Sequence, residues 1–297
     1  MTTAEIESFL AICRYKTITR AAEHLFISQS ALSTRLNTLE RDLGGRLFYR
    51  QKGCREMILT PKGKAFFALS VQYESIVSQM NRLCKEQHLS LRVSSINSLG
   101  SFLLPSVYEA FLQEYPDAEL EIQDKELAQA CVSIQRGLTD IAFTTRAADA
   151  PGVKSMHIFS EPMVLIFPKA SAPTQPVTLS QLSGRQEVYV PWCASFEQWH
   201  REAFGFCAQP QISISIMEQL RLFMKRPGSW AIVPVSVAKG VQEDTVIVQT
   251  TQPLPCRDVY CIIAEGSAQP AALDPFLTCL QNTLSREPQI EIKFTLL

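Results

Sequence analysis

Residues 24–40, HLFISQSALSTRLNTLE, predict a helix with two unlike faces, and this stretch constrains the fold more than any other. At about 100° per residue the leucines fall within roughly 60° of one another. They form one apolar stripe of Leu32, Leu36, Leu39 and Leu43. A second face, centred about 120° away, is polar and nearly uncharged. It consists of Gln29, Ser30, Ser33, Thr34 and Asn37. One face can therefore be buried while the other contacts something outside the domain.

Two helical patterns precede this helix, and a hairpin pattern follows it. An apolar stripe in the first 13 residues predicts one helix, and Ala21 and Ala22 predict another that can approach its neighbours closely. Ser28 is the expected N-cap after a sharp turn. Residues 46–60, RLFYRQKGCREMILT, read as two short strands around a Lys-Gly turn. We therefore predict a winged helix-turn-helix domain over residues 1–60.

The N-terminal part is basic, although the whole chain has a formal net charge of -1. Residues 1–88 contain 13 Lys or Arg against 8 Asp or Glu, whereas the remainder has 15 against 21. A positive excess on such a domain is typical of nucleic-acid binding. Hydrogen-bonding side chains read base edges, so we expect the polar face, together with Ser28, to contact bases. Phosphate contacts are expected from Arg20, Arg35, Arg50, Lys52 and Arg55.

Residues 61–88 are expected to form one long helix, because Thr60-Pro61 provides a cap residue and a proline at the first helical position. Its apolar residues have the spacing of a coiled-coil seam, and they are Phe66, Leu69, Tyr73, Ile76, Met80 and Leu83. The alternative is a helix packed on its own domain, but a small winged domain offers too little surface to cover this seam. We expect the helix to pair two copies of the chain.

From residue 91 onward, strands alternate with helices, which predicts an α/β domain over residues 91–297 with parallel sheets and crossover helices. One set of strands is LRVSSI, AELEIQ and DIAFTT, and a second set is MVLIFP, EVYVP, QISISI and SWAIVP. We therefore predict two lobes. Lobe one comprises residues 91–161 and 267–297, and lobe two comprises residues 162–266.

Ligands of open α/β sheets bind beyond the carboxyl ends of the strands, often at helix N-termini. In the first lobe, the hydroxyls, amide and backbone N–H groups near Ser95, Asn97 and Ser98 favour an organic anion. Further candidates stand at later strand ends: Thr144, Thr145, Trp192, Ser195, Met217 and Pro234. An aromatic and a methionine point to an effector with an apolar part, although both residue types are more often plain core.

The segment FLAICRYKTITRAAEHLFISQSALSTRLNTLERDLGGRLFYR, followed by LTPKGKAFF, closely resembles the DNA-binding part of LysR-type transcriptional regulators. The two-lobed pattern resembles that family's effector domain, so the resemblance covers essentially the whole chain. It implies a periplasmic-binding-protein-type second part and an effector contact near Ser98. It also implies DNA contacts at Gln29, Ser30, Ser33 and Arg50. Ser30 replaces the family's usual proline and Thr34 a frequent basic residue, so the base preference does not transfer.

The resemblance further implies how such a chain acts. It predicts binding to a double-stranded DNA operator as a homodimer that assembles into a homotetramer. A small-molecule effector would close the two lobes and change the geometry of the bound DNA. RNA polymerase is a further partner that the resemblance allows.

A cysteine-based redox sensor of the same family is a competing hypothesis. The sequence GFC ending at Cys207 resembles the second cysteine of peroxide-sensing members. Cys193 lies 14 residues upstream, but Gln198 occupies the position of the first cysteine in that pattern, and an amide cannot form a sulfenic acid or a disulfide. The redox hypothesis is therefore the weaker one.

An enzyme and a purely architectural DNA-binding protein are two further hypotheses. The four histidines are isolated, and the sequence has no G-x-S-x-G elbow or glycine-rich phosphate loop, so we expect no catalytic residues and no cofactor. The nine cysteines form no C-x-x-C pair, so we expect no metal site. A ligand-independent architectural protein would leave the two-lobed domain without a purpose. The lack of a long apolar run predicts a cytoplasmic protein without membrane contact.

Overall fold

The computed structural model describes residues 1–49, 57–83, 89–205, 210–265 and 270–294, except for the side chains of residues 75, 78, 79 and 81–83. The chain forms two compact units, Met1–Glu86 and Gln87–Leu297. Several residues singled out in the sequence lie outside the described part. They are Arg50, Lys52, Arg55, Cys207 and, for its side chain, Leu83.

The first unit begins with three helices: α1 (Thr3–Tyr15), α2 (Ile18–His24) and α3 (Gln29–Asp42). Each is preceded by a hydroxyl residue whose side chain accepts a hydrogen bond from the backbone of the first turn, namely Thr2, Thr17 and Ser28. Ser28 accepts from the backbone N–H of Ala31 at 3.1 Å. The predicted helix-turn-helix and its N-cap are confirmed.

The leucine face of α3 closes the core of the first unit. Leu32, Leu36 and Leu39 are buried where α3 meets α1 and α2. Ala21 and Ala22 of α2 are buried as well, and their small side chains let the helices approach closely. Because these leucines are buried, the polar face of α3 points away from the core, as its sequence predicted.

A short hairpin follows the three helices. Strands β1 (Phe48–Tyr49) and β2 (Ile58–Leu59) pair antiparallel and form the predicted wing. Near the end of α3, the buried carboxylate of Glu40 accepts a hydrogen bond from the backbone N–H of Leu47 at 2.7 Å. This bond fixes the start of the wing relative to α3.

Helix α4 (Pro61–Leu83) leaves the wing, and the predicted continuation over residues 84–88 lies outside the described part. The Thr60 hydroxyl accepts from the backbone N–H of Gly63 at 2.9 Å and caps the helix. A glycine is needed at position 63 because a Cβ there would lie 2.0 Å from the carbonyl oxygen of Leu47. The start of α4 is therefore held tightly against the wing.

The second unit contains a first α/β core built on a parallel sheet, as predicted. Strand β3 (Ser90–Ser95) lies between β4 (Glu119–Asp124) and β5 (Ile141–Thr144). The crossover helices are α5 (Asn97–Phe102), α6 (Leu104–Glu114) and α7 (Leu127–Gln135). Asn97 and Ser98, expected between a strand and a helix, are the first two residues of the short helix α5.

Two long antiparallel strands connect this core to a second one: β6 (Val153–Pro168) and β11 (Cys256–Ala264). The first half of β6 pairs with β11, which in turn pairs with β5. The second half of β6 pairs with β9 (Ala231–Pro234) and β10 (Thr245–Val248). Within the described residues, one eight-stranded sheet thus runs through both cores.

The remaining elements complete these two cores. The second core contains β7 (Val188–Tyr189) and β8 (Ile212–Ser213), with helices α8 (Ala194–Phe204), α9 (Met217–Phe223) and α10 (Val235–Gly240). Helix α11 (Leu273–Leu284) packs in the first core, and β12 (Glu291–Ile292) pairs with β6. The two-lobed α/β architecture predicted from the sequence is confirmed.

Two details of the predicted second lobe are wrong. Strand β11 buries Val259, Cys261 and Ile263 in the first core, so the predicted lobe-two range of 162–266 ends too late. The second lobe was also expected to repeat the parallel pattern of the first. Strands β7 and β8 do pair in parallel, and a parallel bridge joins Glu187 to Trp230. The exception is β6, to which β9 and β10 run antiparallel, because β6 enters this lobe from the first core and the later strands return alongside it.

Candidate functional site

The polar face of α3 is open to solvent. Four of its residues are exposed, namely Gln29, Ser30, Thr34 and Asn37. The fifth, Ser33, is half-buried. The Ser28 and Ser30 hydroxyl oxygens lie 2.9 Å apart, and the Thr34 hydroxyl donates to the Ser30 carbonyl oxygen at 2.9 Å. These bonds orient the small hydroxyls, so the face presents hydrogen-bonding groups of defined geometry. Such groups match the donor and acceptor pattern of base edges.

The arginines predicted to contact phosphates are only partly within the described structure. Arg20 is exposed on α2, and Arg35 is half-buried on α3. Both belong to the helix-turn-helix, and neither is one of the residues of the polar face. The three candidates in the wing lie outside the described residues.

Helix α4 exposes an apolar row on one side. Leu69, Ile76 and Met80 are 62%, 55% and 60% exposed. Two other residues of the predicted seam, Phe66 and Tyr73, make contacts with α1 inside the first unit. The Phe66 ring packs on Phe9 at 5.0 Å between centroids, and the Tyr73 hydroxyl lies 2.9 Å from the Thr3 hydroxyl. The exposed row is therefore shorter than the sequence pattern indicated.

A buried ion pair lies where β6 and β11 cross from one core to the other. Arg257 and Glu161 are register partners in the two strands, and both side chains are 0% exposed. The Arg257 guanidinium donates to Glu161 Oε1 from Nε at 3.1 Å and from Nη2. The second carboxylate oxygen, Oε2, accepts from the backbone N–H of Ser236 at 3.0 Å. Each charge is thus matched by its partner and by further hydrogen bonds, as buried charges require.

Predicted ligand-site residues from both lobes surround this pair. The Ser98 hydroxyl of α5 accepts from Arg257 Nη1 at 2.9 Å. On the other side, the Arg257 guanidinium carbon lies 5.6 Å from the centroid of the Trp192 ring, a cation–π arrangement. Trp192 is held in place by a hydrogen bond from its Nε1 to the Ile232 carbonyl oxygen at 2.8 Å. Ser98 and Trp192, far apart in the sequence, therefore meet at one cation.

A second set of contacts joins the lobes beside the ion pair. Asn97 Oδ1 accepts from the backbone N–H of Met217 at 3.1 Å, and Asn97 Nδ2 donates to Asp124 Oδ2 at 3.1 Å. Met217 itself is buried at the start of α9. The predicted residues Asn97 and Met217 are thus neighbours across the two lobes.

In the described structure, the other predicted ligand-site residues make no side-chain hydrogen bond to Arg257, Glu161 or Asn97. Ser95 and Thr144 are buried, and the Thr144 hydroxyl donates to the Arg146 carbonyl oxygen at 2.8 Å. Thr145 is half-buried, and Pro234 is buried in β9. The exposed Ser195 hydroxyl lies 3.2 Å from the Cys193 sulfur.

Sequence reasoning missed Arg257 and Glu161, the charged residues at the centre of the cluster. A signal was present, since each stands in a strand that is otherwise rich in apolar residues, SEPMVLIFP and CRDVYCIIA. Charged residues are almost never fully buried unless they are paired. Two opposite charges inside two buried strands therefore indicate a pair.

The cysteines of the described structure are free thiols. Burial raises the pKa of the Cys13 and Cys261 thiols to about 12, which keeps them protonated and poorly nucleophilic at neutral pH. Cys193 is half-buried, and Cys207 lies outside the described residues. No group of three or more potential metal-binding side chains occurs within the ranges that the structure covers. None of the helices in those ranges is long and apolar enough to cross a membrane.

The geometry defines a two-part protein, with a winged helix-turn-helix unit and a two-lobed α/β unit that has a polar cluster between its lobes. Residues 3–64 match the family model described as "Bacterial regulatory helix-turn-helix protein, lysR family". Residues 85–285 match the model described as "LysR substrate binding domain". The chain belongs to the LysR family of transcriptional regulators.

Curated relatives match parts of the chain. The Hca operon transcriptional activator HcaR of Escherichia coli (strain K12) is 29% identical over 182 residues, which cover 59% of this chain and 60% of the relative. CatR of Pseudomonas putida is 30% identical over 189 residues, covering 62% and 63%. YcgK of Bacillus subtilis (strain 168) is 28% identical over 180 residues, covering 58% and 53%. The matches thus span between half and two thirds of these relatives.

Solved structures share the fold over nearly the whole chain. Full-length CbnR in complex with its target DNA aligns with a TM-score of 0.73 and 19% identity, covering 95% of this chain and 100% of that chain. A full-length OxyR variant from Pseudomonas aeruginosa aligns with a TM-score of 0.66 and 19% identity, covering 95% of both chains. At this identity the likeness concerns the fold alone.

We predict that the two members of the buried ion pair stabilise the second unit only together. Glu161→Ala should lower the free energy of unfolding by about 3–5 kcal/mol, because it leaves the Arg257 charge buried without its partner. A Glu161→Leu/Arg257→Met double variant should lie close to the wild type. All three tryptophans, Trp192, Trp199 and Trp230, are in this unit, so their fluorescence during urea unfolding reports on it selectively.

Asp258→Ala provides the matched control, because Asp258 is the next residue of β11 and its side chain is 51% exposed. Its loss should cost less than about 1 kcal/mol. Equal effects of Glu161→Ala and Asp258→Ala would contradict the prediction.

Proposed function

We propose that this chain is a sequence-specific DNA-binding transcription regulator whose activity depends on a small molecule bound between its two lobes. The outward polar face of α3 carries the proposal. A helix that buries leucines on one side and exposes nearly uncharged hydrogen-bonding groups on the other suits the major groove, where base edges offer a donor and acceptor code. Membership of the LysR family supports the same function.

We propose that α4 mediates self-association. Its exposed residues Leu69, Ile76 and Met80 stand seven and four residues apart, which keeps them on one side of a helix. Pairing two such helices would remove this row from water and bring two helix-turn-helix units together. Two half-sites on the DNA would then be read by one dimer, and pairs of dimers would give the tetramer expected for the family.

We propose an organic anion as the effector, bound near Ser98. The Arg257 guanidinium and the Ser98 hydroxyl offer the donors that a carboxylate needs, and the Trp192 ring offers an apolar wall. Glu161 already neutralises Arg257, so a ligand carboxylate would have to share the guanidinium with it. Effector control would follow from different affinities of the ligand for two lobe arrangements.

A redox sensor and an architectural protein would behave differently from a ligand-dependent regulator. A redox sensor would respond to oxidant through its cysteines and would need no ligand. An architectural DNA-binding protein would bind DNA with the same affinity whether or not any small molecule is present.

DNA reading by the polar face of α3 can be tested by selecting DNA sequences. Selection from a pool of random duplex DNA with the full-length protein should enrich one sequence. Gln29→Ala and Ser33→Ala should each weaken binding to that sequence by about 1–3 kcal/mol, measured by fluorescence anisotropy at fixed salt, because each removes base-edge hydrogen bonds. Thr38→Ala is the control, since Thr38 is on the same helix but outside the polar face. A pool without enrichment would contradict sequence-specific binding.

Self-association through α4 can be tested by replacing its exposed apolar residues. Changing Leu69 and Ile76 together to glutamate should shift the full-length protein to a smaller species in analytical ultracentrifugation, because charges replace the apolar contact. Lys64→Glu, at an exposed position of the same helix, should leave the mass unchanged. An unchanged mass in the double variant would show that α4 does not carry the interface.

Effector binding near Ser98 can be tested by ligand-induced stabilisation. In a thermal-shift screen of the full-length protein against small carboxylates, aromatic acids and amino acids, a ligand at about 100 times its dissociation constant stabilises by roughly 2.7 kcal/mol. The hit should be an acid, and Ser98→Ala should abolish its shift, whereas Ser285→Ala, an exposed hydroxyl of the first lobe, should preserve it. A shift caused by oxidant and by none of these compounds would favour the redox sensor.

A further inference from the structure

Phe26 has an unusual position in the turn between α2 and α3. Its side chain is 96% exposed, the highest value among the exposed large hydrophobic residues described. Its backbone is left-handed, with φ at 55°. Among the described non-glycine residues, only Lys16 also has a positive φ. A bulky residue in this conformation is strained, and an apolar ring in water gains nothing from folding.

The hydrogen bonds around Phe26 explain the backbone but not the side chain. The N–H of Phe26 donates to the Glu23 carbonyl oxygen at 3.2 Å, and the N–H of Ile27 donates to the Ala22 carbonyl oxygen at 3.1 Å. This is the Schellman arrangement that ends a helix, with Phe26 at the left-handed position where glycine is usual. A glycine or asparagine would make the same turn with less strain, so the turn itself does not require a phenyl ring.

The location of Phe26 points to what the ring does. It lies two residues before Ser28, the N-cap of α3, and three before Gln29. Helices of this kind meet base edges through their N-terminal residues. If the N-terminal end of α3 enters the groove, an exposed ring this close to it in the chain would lie near the same base pairs.

We infer that Phe26 is a specificity residue that contacts the methyl group of a thymine at the edge of the DNA site. The thymine methyl is the one apolar group that a base pair presents in the major groove, and phenylalanine is among the side chains that contact it. The polar face of α3 offers hydrogen bonds, and Phe26 adds an apolar contact. This inference rests on the proposed DNA binding.

The test compares variants of Phe26 on the DNA sequence selected by the wild-type protein. Phe26→Gly and Phe26→Asn should raise the melting temperature, because the turn strain is relieved, and should weaken DNA binding about tenfold, which corresponds to roughly 1.4 kcal/mol. Phe26→Leu keeps an apolar side chain and should retain most of the affinity. Higher stability combined with lower affinity is a result that a purely structural residue would not give.

Replacing single thymines of the site with deoxyuridine identifies the contact. At one position, the loss of the methyl group should weaken wild-type binding but leave Phe26→Gly binding unchanged. If the loss of affinity caused by Phe26→Gly is the same on every uracil-substituted site as on the unmodified site, Phe26 does not contact a thymine methyl group. A smaller mass of Phe26→Gly in ultracentrifugation would instead assign the ring to a contact between copies and would also overturn the inference.

Gln29→Ala distinguishes this failure from a failure of the proposed function. If Gln29→Ala weakens binding and Phe26→Gly does not, only the inference about Phe26 fails. If neither variant changes binding, α3 does not read DNA, and the proposed function fails with it.

Discussion

The second unit depends on one requirement, which is that the buried charge of Arg257 be balanced. A guanidinium without water around it needs a counter-charge and hydrogen-bond acceptors, and three segments supply them or cover it. Glu161 of β6 provides the carboxylate, and Ser98 of α5 provides a hydroxyl. The Trp192 ring packs against the guanidinium in a cation–π arrangement. Because these groups come from both lobes and from the strands between them, the pair links the two lobes through contacts to one side chain.

Much of the first unit could be predicted from the sequence, because its signals are local. The two faces of α3 follow from helical periodicity alone, and the N-cap at Ser28 follows from its side chain and its place before an apolar stripe. The wing and the start of α4 are similarly marked by turn and cap residues. Phe26 was missed for the opposite reason. An exposed phenylalanine differs from a buried one only in its surroundings, which the sequence does not contain.

The second unit was predictable in its outline and less so in its centre. Alternating strands and helices identify an α/β domain, and strand ends locate Ser98, Asn97, Trp192 and Met217. Their mutual contacts depend on how distant segments pair, which periodicity does not encode. The same limit explains the wrong direction predicted for β6 and the wrong lobe predicted for β11. A buried strand has the same apolar run whether its neighbour is parallel or antiparallel and whichever core it joins.

The continuity of β6 has a mechanical consequence. Its 16 residues run from the first core into the second without interruption, a length of about 50 Å at the usual rise per residue. Lobes joined by flexible loops can translate apart, but lobes that share a hydrogen-bonded strand cannot. A change in their relative orientation must be taken up as torsion along β6 and β11. The register shift between Val259 and Tyr260 lies on the side of the first core, so the part of the ladder that carries this torsion is the regular stretch that contains the ion pair.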